Sequence, residues 1–264
     1  NYGDDLIDGW EEYIKPTDEN FDNYIVGDKG VTFFFEEGTV LDESAGIVKA
    51  GMTGHDAATI MRDKILERYI VADKPMVALT YDDGPGLEEN NAVATFFYQG
   101  VFIKGREDKI KRASEIGCEI GNHTWSHPVL TSLNASDVKK QLDMTNNAIY
   151  NACGSYPTVF RPSYGETDIS VNKISGMPVI MWSVDTLDWE SRNGTKVFNA
   201  VKKKGNLDGS IILMHSIHSS TADATELIVP WLKKNGYQTV TVSELIKYKT
   251  GKDPVAGKVY RTYK

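Results

Sequence analysis

His123 and His127 stand four positions apart, downstream of a strand-like segment that ends in adjacent carboxylates, Asp82 and Asp83. Imidazole and carboxylate are the side chains that hold catalytic zinc, which takes three protein ligands and leaves a position open for water. This combination points to a metal that activates water for hydrolysis. Asp82 and Asp83 follow Val77-Ala78-Leu79-Thr80-Tyr81, and Gly84 and Pro85 turn the chain away. Neighbours on an extended segment face opposite sides, so one carboxylate can meet a metal while the other addresses the substrate. Asp-Asp-Gly also makes ordinary turns, and the pair alone does not decide between the two. The four-residue spacing predicts His123 and His127 on one side of a helical turn, within reach of one ion.

Three further clusters each follow an apolar run. Arg161-Pro162-Ser163-Tyr164-Gly165 offers a guanidinium that can hold a carboxylate through two parallel hydrogen bonds. Asp185-Thr186-Leu187-Asp188-Trp189 follows Val179 to Trp182, and Leu213-Met214-His215 closes the run from Ser210. Taken singly, each is as compatible with a structural role. His218, three positions beyond His215, is not assigned as a second acid. Tyr98 and Trp125 are candidates either for stacking on sugar rings or for ordinary packing.

The elements that must position these groups alternate from Lys74 onward. Strands are predicted at Pro75 to Tyr81, Ala92 to Tyr98, Glu119 to Ile120, Thr158 to Arg161, Val179 to Trp182, Ser210 to Met214 and Thr239 to Thr241. Helices are predicted near 105–116, 135–150, 195–201 and 221–235. Such alternation is the mark of parallel strands with helical crossovers, an α/β fold. Reactive residues after the strands match a (β/α) barrel, complete, distorted or incomplete, with its chemistry at the carboxyl ends of the strands. The link between Tyr81 and Ala92 is too short for a helical crossover, which needs about a dozen residues or more. Either a tight loop replaces the helix or residues are missing near Gly86, and the second is expected because Leu87 to Asn91 reads as the tail of a truncated helix.

The first seventy residues differ. Tyr24 to Val26, Val31 to Phe35 and Ile47 to Lys49 are short β-type runs broken by glycines, and an amphipathic helix is expected over 56–69. A small α+β module at 1–70 is expected to precede a catalytic domain at 71–264. The module carries no clustered ligands, and His55 is isolated. A formal net charge of −8 disfavours nucleic acid as a partner. No apolar run approaches the ~18 residues of a membrane span, and no signal peptide opens the chain. Because the sequence starts at Asn1 without an initiator Met, it is expected to be the outer part of a longer exported or anchored protein. Cys118 and Cys153 form no Cys-x-x-Cys pair, which excludes a cysteine zinc site, and whether they pair is open.

Clusters in this order, each after a strand, resemble the polysaccharide deacetylase family, carbohydrate esterase family 4, with its NodB homology domain. The resemblance covers roughly residues 74–248. It departs from the family at Tyr81, where Phe is usual, at Ser163, where Pro is common, and at Ser216, where Asp often follows the last His. The resemblance implies that Asp83, His123 and His127 hold a divalent metal, usually zinc, though cobalt can serve. It makes Asp82 the general base and His215 the general acid. Arg161 would fix Asp82, Asp185 would keep His215 protonated, and Tyr164 would offer its backbone N–H to the oxyanion. Trp189 and Leu213 would line the pocket for the acetyl methyl group.

The stretch from Phe21 to Met52 is also similar to the small domain that precedes the NodB domain in some Gram-positive peptidoglycan deacetylases. Together these resemblances imply an extracellular or cell-surface enzyme that removes acetyl groups from N-acetylglucosamine residues of peptidoglycan. The same chemistry would suit an O-acetyl xylan esterase or a chitin-oligosaccharide deacetylase. A catalytically inactive glycan-binding module is the alternative from another class.

Overall fold

Met76 to Tyr81 is an apolar run without a turn residue, as a strand covered on both faces requires. In the computed structural model, which describes residues 24–27, 30–35, 48–53, 70–84 and 92–263, it forms a central strand. The chain divides into two units, Asn1–Arg68 and Tyr69–Lys264. In the first, β1 (Tyr24–Gly27), β2 (Gly30–Phe35) and β3 (Val48–Thr53) form an antiparallel sheet in that order. The helix expected at 56–69, and His55 before it, lie outside the described residues.

The second unit carries β4 (Met76–Asp83), β5 (Thr95–Tyr98), β6 (Glu119–Asn122), β7 (Val159–Phe160), β8 (Val179–Ile180), β9 (Val184–Asp185), β10 (Ser210–His215), β11 (Gln238–Thr239) and β12 (Val259–Tyr260). Its parallel sheet runs β12-β8-β7-β6-β5-β4-β10-β9, and β11 pairs with the amino end of β4. The sheet curls into an incomplete, distorted barrel. The helices are α1 (Glu107–Glu115), α2 (Ala135–Cys153), α3 (Ile169–Ser175), α4 (Asp188–Ser191), α5 (Gly194–Lys203), α6 (Ser219–Lys234) and α7 (Val242–Thr250).

Period-2 alternation divides the central strands between two cores. Val77, Leu79 and Tyr81 of β4, with Ile212 and Met214 of β10, pack against Ile110 of α1, Ile149 of α2, Val197 of α5 and Ile228 of α6. Met76 and Ala78 face the other way, with Phe97, Val159, Ile180 and Ile211, and α7 adds Val242, Leu245 and Ile246 to that cluster. Removing one of these large buried side chains typically costs about 2–5 kcal/mol.

Of the expected strand at Val179 to Trp182 only Val179–Ile180 is strand, as β8, and β9 follows it with no helical crossover between them. The carbonyls of Ile180 and Met181 there accept from the Arg161 guanidinium. β4 and β5 are adjacent and parallel, Tyr81 opposite Phe96. Residues 85–91 lie outside the described residues, and with them the expectation of missing residues near Gly86. Cys118 and Cys153 are both thiols, with no disulfide among the described residues. No helix among the described residues is long and apolar enough to cross a membrane.

Candidate active site

Parallel pairing carries the carboxyl ends of β4, β5, β6, β7 and β10 to one rim, which gathers the reactive residues. β4 and β10 are in register with His215 opposite Asp82. On β6, a Cβ at Gly121 would lie 2.4 Å from the Phe97 ring, so only glycine lets β5 and β6 meet there. The strand runs on through Asn122, two residues past its predicted end at Ile120.

The backbone around the rim is strained. Asp83 (φ 79°), Thr124 (φ 66°), His127 (φ 59°), Tyr164 (φ 60°), Leu187 (φ 52°) and Arg192 (φ 46°) all occupy the left-handed region. Each such residue costs on the order of 1–3 kcal/mol, and strain of this kind gathers where function demands a special geometry. It also corrects one expectation: His123 and His127 converge through an irregular loop, not a helical turn. The Asn122 side chain accepts from the Thr124 N–H, and the Thr124 hydroxyl accepts from the His127 N–H, which folds the loop back on itself.

Asp83, His123 and His127 each bring a ligand atom to within 4.8 Å of the others. The Nε2 atoms of the two imidazoles are 3.2 Å apart, and His123 Nε2 is 3.7 Å from Asp83 Oδ1. Bonds of ~2.0–2.2 Å in a tetrahedral zinc site put neighbouring ligand atoms at about these separations. His123 Nδ1 lies 2.7 Å from the Arg161 carbonyl, so Nδ1 carries the proton and the Nε2 lone pair faces its neighbours. Burial, then the adjacent His123, push His127 down to about 4, which keeps its ring neutral. Donor set, spacing and protonation all fit a divalent ion. Gln99, which sequence reasoning missed, donates from Nε2 to Asp83 Oδ1, and its own N–H donates to the Asp83 carbonyl.

Asp82 is buried and has a different set of partners. Arg161 Nη1 donates to its Oδ1 at 2.7 Å and to Thr80 Oγ1 at 2.8 Å, while Asp82 Oδ2 stands 3.6 Å from His123 Nε2. Arg161 is wholly buried, with its guanidinium 4.2 Å from the centre of the Phe97 ring. The expected pair of parallel hydrogen bonds is not formed. One guanidinium nitrogen meets the carboxylate, and the others are taken by the carbonyls of Ile180, which ends β8, and Met181, which follows it. Burial pulls the Arg161 pKa down against the opposing charge of Asp82, yet guanidinium stays ionised in proteins.

His215 has a different carboxylate partner from the expected Asp185. Its Nδ1 lies 2.8 Å from Asp188 Oδ1, and its N–H donates to Asp188 Oδ2 at 2.6 Å. Asp185 Oδ1 instead accepts from the Leu187 N–H, which ties up its own turn. Burial alone would raise the Asp188 carboxyl, but the His215 hydrogen bond and charge, with the Thr221 hydroxyl, hold it below the usual range. Burial would lower His215, and the Asp188 hydrogen bond with the charges of Asp82 and Asp188 raises it instead. Ser216, where the family pattern often has Asp, does not touch the ring; its hydroxyl donates to the carbonyls of Asp82 and Gly84. His218 pairs with Arg192 through Nδ1, and burial and that cation lower its pKa, so it stays neutral.

A cavity of about 400 Å³ opens on this rim, lined among others by Asp82, His123, His127, His215, Tyr164, Trp182, Asp185, Trp189 and Leu213. Tyr164, 63% exposed, sets its ring edge-on to His127 at 4.4 Å between centroids. Trp182 also lines the cavity without having been anticipated. Tyr98 is buried against Phe96, and Trp125 is half-buried beside Gly100, so both pack.

Comparison with known proteins agrees with this geometry. The polysaccharide deacetylase family model matches residues 70–177. Peptidoglycan-N-acetylglucosamine deacetylase PgdA of Listeria monocytogenes is 39% identical over 64% of this chain and 38% of its own length. A peptidoglycan-N-acetylglucosamine deacetylase of Bacillus cereus is 34% identical over 69% of this chain and 74% of its own. The solved structure of peptidoglycan deacetylase PdaC from Bacillus subtilis superposes with a TM-score of 0.66 at 35% identity, covering 69% of this chain and 95% of that one. The chain belongs to the polysaccharide deacetylase family. It spans well under half the length of the Listeria relative.

Proposed function

We propose that this chain hydrolyses the acetamido group of N-acetylglucosamine residues in peptidoglycan at the cell surface, releasing acetate and leaving a free amine. One observation carries the reading. A buried carboxylate, Asp82, and an Asp-backed histidine, His215, line the same cavity as His123 and His127, which with Asp83 form a set fit for a metal. The Listeria and Bacillus cereus relatives are named for this reaction, which supports the choice of substrate.

Asp83, His123 and His127 would hold the ion, most simply zinc, with cobalt able to replace it. A divalent ion there supplies Lewis acidity to the acyl oxygen and lowers the pKa of water. Asp82, with Oδ1 held by Arg161, takes the proton of the attacking water on Oδ2. Arg161 keeps that carboxylate aimed, and the Tyr164 N–H faces the oxygen that gains charge as the carbonyl becomes tetrahedral. His215, with Nδ1 committed to Asp188, gives its Nε2 proton to the leaving nitrogen as the C–N bond breaks. Trp189 and Leu213 shape the wall for the methyl group. Asp185, on the same wall, belongs to the cavity rather than to the acid.

This assignment fixes a pH dependence. Only protonated His215 can donate, so turnover falls as pH rises through its elevated pKa. Asp188→Asn removes the charge that raises it, so the alkaline limb of kcat should move to lower pH, measured as initial rates across pH on a soluble N-acetylglucosamine oligomer. An unmoved limb would remove Asp188 from the acid.

Acetate release from N-acetylglucosamine oligomers, purified peptidoglycan and acetylated xylan, with and without chelator, tests the function. Amide substrates should release acetate, lose it on chelation and regain it with zinc. Release from xylan alone would make the chain an esterase, and none from any substrate would leave a glycan-binding module.

A further inference from the structure

Asp188 is held from more than one side. Its Oδ1 accepts from His215 Nδ1 at 2.8 Å and from the Trp189 N–H at 2.9 Å; its Oδ2 accepts from the His215 N–H at 2.6 Å and from Thr221 Oγ1 at 2.7 Å. The Trp189 donor moves with Asp188 itself, and the His215 donors belong to the residue that needs to be placed. Thr221 supplies the donor that comes from neither. An outside anchor matters here because Asp188 opens a four-residue helix, α4, whose two flanking residues, Leu187 and Arg192, both sit at positive φ. Such a turn has little stability of its own.

Thr221 is suited to the task. It is buried in the first turn of the sixteen-residue α6. Its carbonyl accepts from Thr225 Oγ1 at 2.8 Å, and that hydroxyl lies 3.0 Å from the Tyr81 hydroxyl. The Thr225 proton is spent on the carbonyl, so Tyr81 donates to Thr225. The path thus runs from β4, one residue before Asp82, through α6 to Asp188 and on to His215. Tyr81, where the family pattern usually has Phe, provides the hydroxyl at its start.

We propose that Thr221 is a positioning residue for the general acid: its hydroxyl locks the Asp188 carboxylate in the rotamer that orients the His215 ring. The proposal rests on the functional reading above for the identity of the acid. It concerns geometry at Asp188, and Thr221 itself touches no reacting atom.

The test uses the full chain loaded with zinc, as Thr221→Val, which keeps the shape and deletes the donor, and as Thr221→Ser, which restores it. On N-acetylglucosamine oligomers the Val variant should lose about ten-fold in kcat with KM unchanged, and the Ser variant should stay near wild type. On 4-nitrophenyl acetate, whose phenolate leaves without a proton, the Val variant should match wild type. Proton NMR of the metal-free chain gives a readout apart from turnover. The downfield His215 Nδ1–H signal should persist in wild type and Thr221→Ser and broaden away in Thr221→Val.

Equal losses on both substrates, or an unchanged kcat and an unchanged imidazole signal in Thr221→Val, would overturn the proposal. Should the Val variant not fold, Thr221→Ala against Thr221→Ser gives the same contrast. A wild-type chain inactive on the oligomers sinks the functional reading instead, and the imidazole proton then decides the Thr221 assignment by itself.

Discussion

Asp82→Asn is expected to bind its metal normally and to lose about 10²–10⁴-fold in kcat, the usual contribution of a positioned base. The geometry separates the two effects. Asp82 meets Arg161 through Oδ1, and an Asn oxygen can accept the same hydrogen bond, so the buried guanidinium keeps a partner. Replacement by Ala would leave that cation buried and uncompensated, which typically costs about 3–5 kcal/mol and would blur catalysis with unfolding. What Asn cannot do is take a proton at the position of Oδ2. Metal content by elemental analysis and kcat by acetate release, on the same preparation, check the prediction. An Asp82→Asn chain with wild-type turnover would remove the base assignment.

His127→Ala should lose metal and activity together. His127 sits on an irregular loop and contributes a neutral ring, so its removal takes away a ligand without opening the main core. Thermal unfolding with and without zinc reads this directly. A ligand that binds only the folded chain stabilises it by about 2.7 kcal/mol at one hundred times its Kd. Wild type should therefore gain in Tm on addition of zinc and His127→Ala should gain little, while the two metal-free chains melt close together. A variant that keeps the zinc-induced gain in Tm would exclude His127 as a ligand.

Most of this arrangement was legible in the sequence because the fold places its chemistry at strand ends. A mostly apolar run without a turn residue that stops at Asp82 and Asp83 marks a central strand and the carboxylates at its tip in one stretch, and β4 occupies that stretch. The partner of His215 was not legible. The resemblance placed Asp185 beside His215, and sequence distance cannot show that Leu187 enters the left-handed region and turns Asp188 towards β10 instead. Gln99 and Thr221 carry no motif at all. Gln99 reaches Asp83 because consecutive parallel strands bring their ends together, and Thr221 reaches Asp188 from a helix that begins well beyond it in sequence.

The rings of His123 and His127 do converge, but through a local structure other than the helical turn that their spacing predicts. Four residues also close a loop when Thr124 and His127 adopt positive φ, and the Asn122 and Thr124 side chains hold that loop shut. One missed helix had a readable signal. Thr241 and Glu244 form a capping box that opens α7, and a polar residue followed three positions later by Glu is visible in the sequence.

Calorimetric titration of the metal-free chain with zinc, alongside Asp83→Ala, tests the central claim most directly. The account predicts one tight ion per wild-type chain and its loss in the variant. Zinc taken up equally by both chains, or by neither, would contradict it.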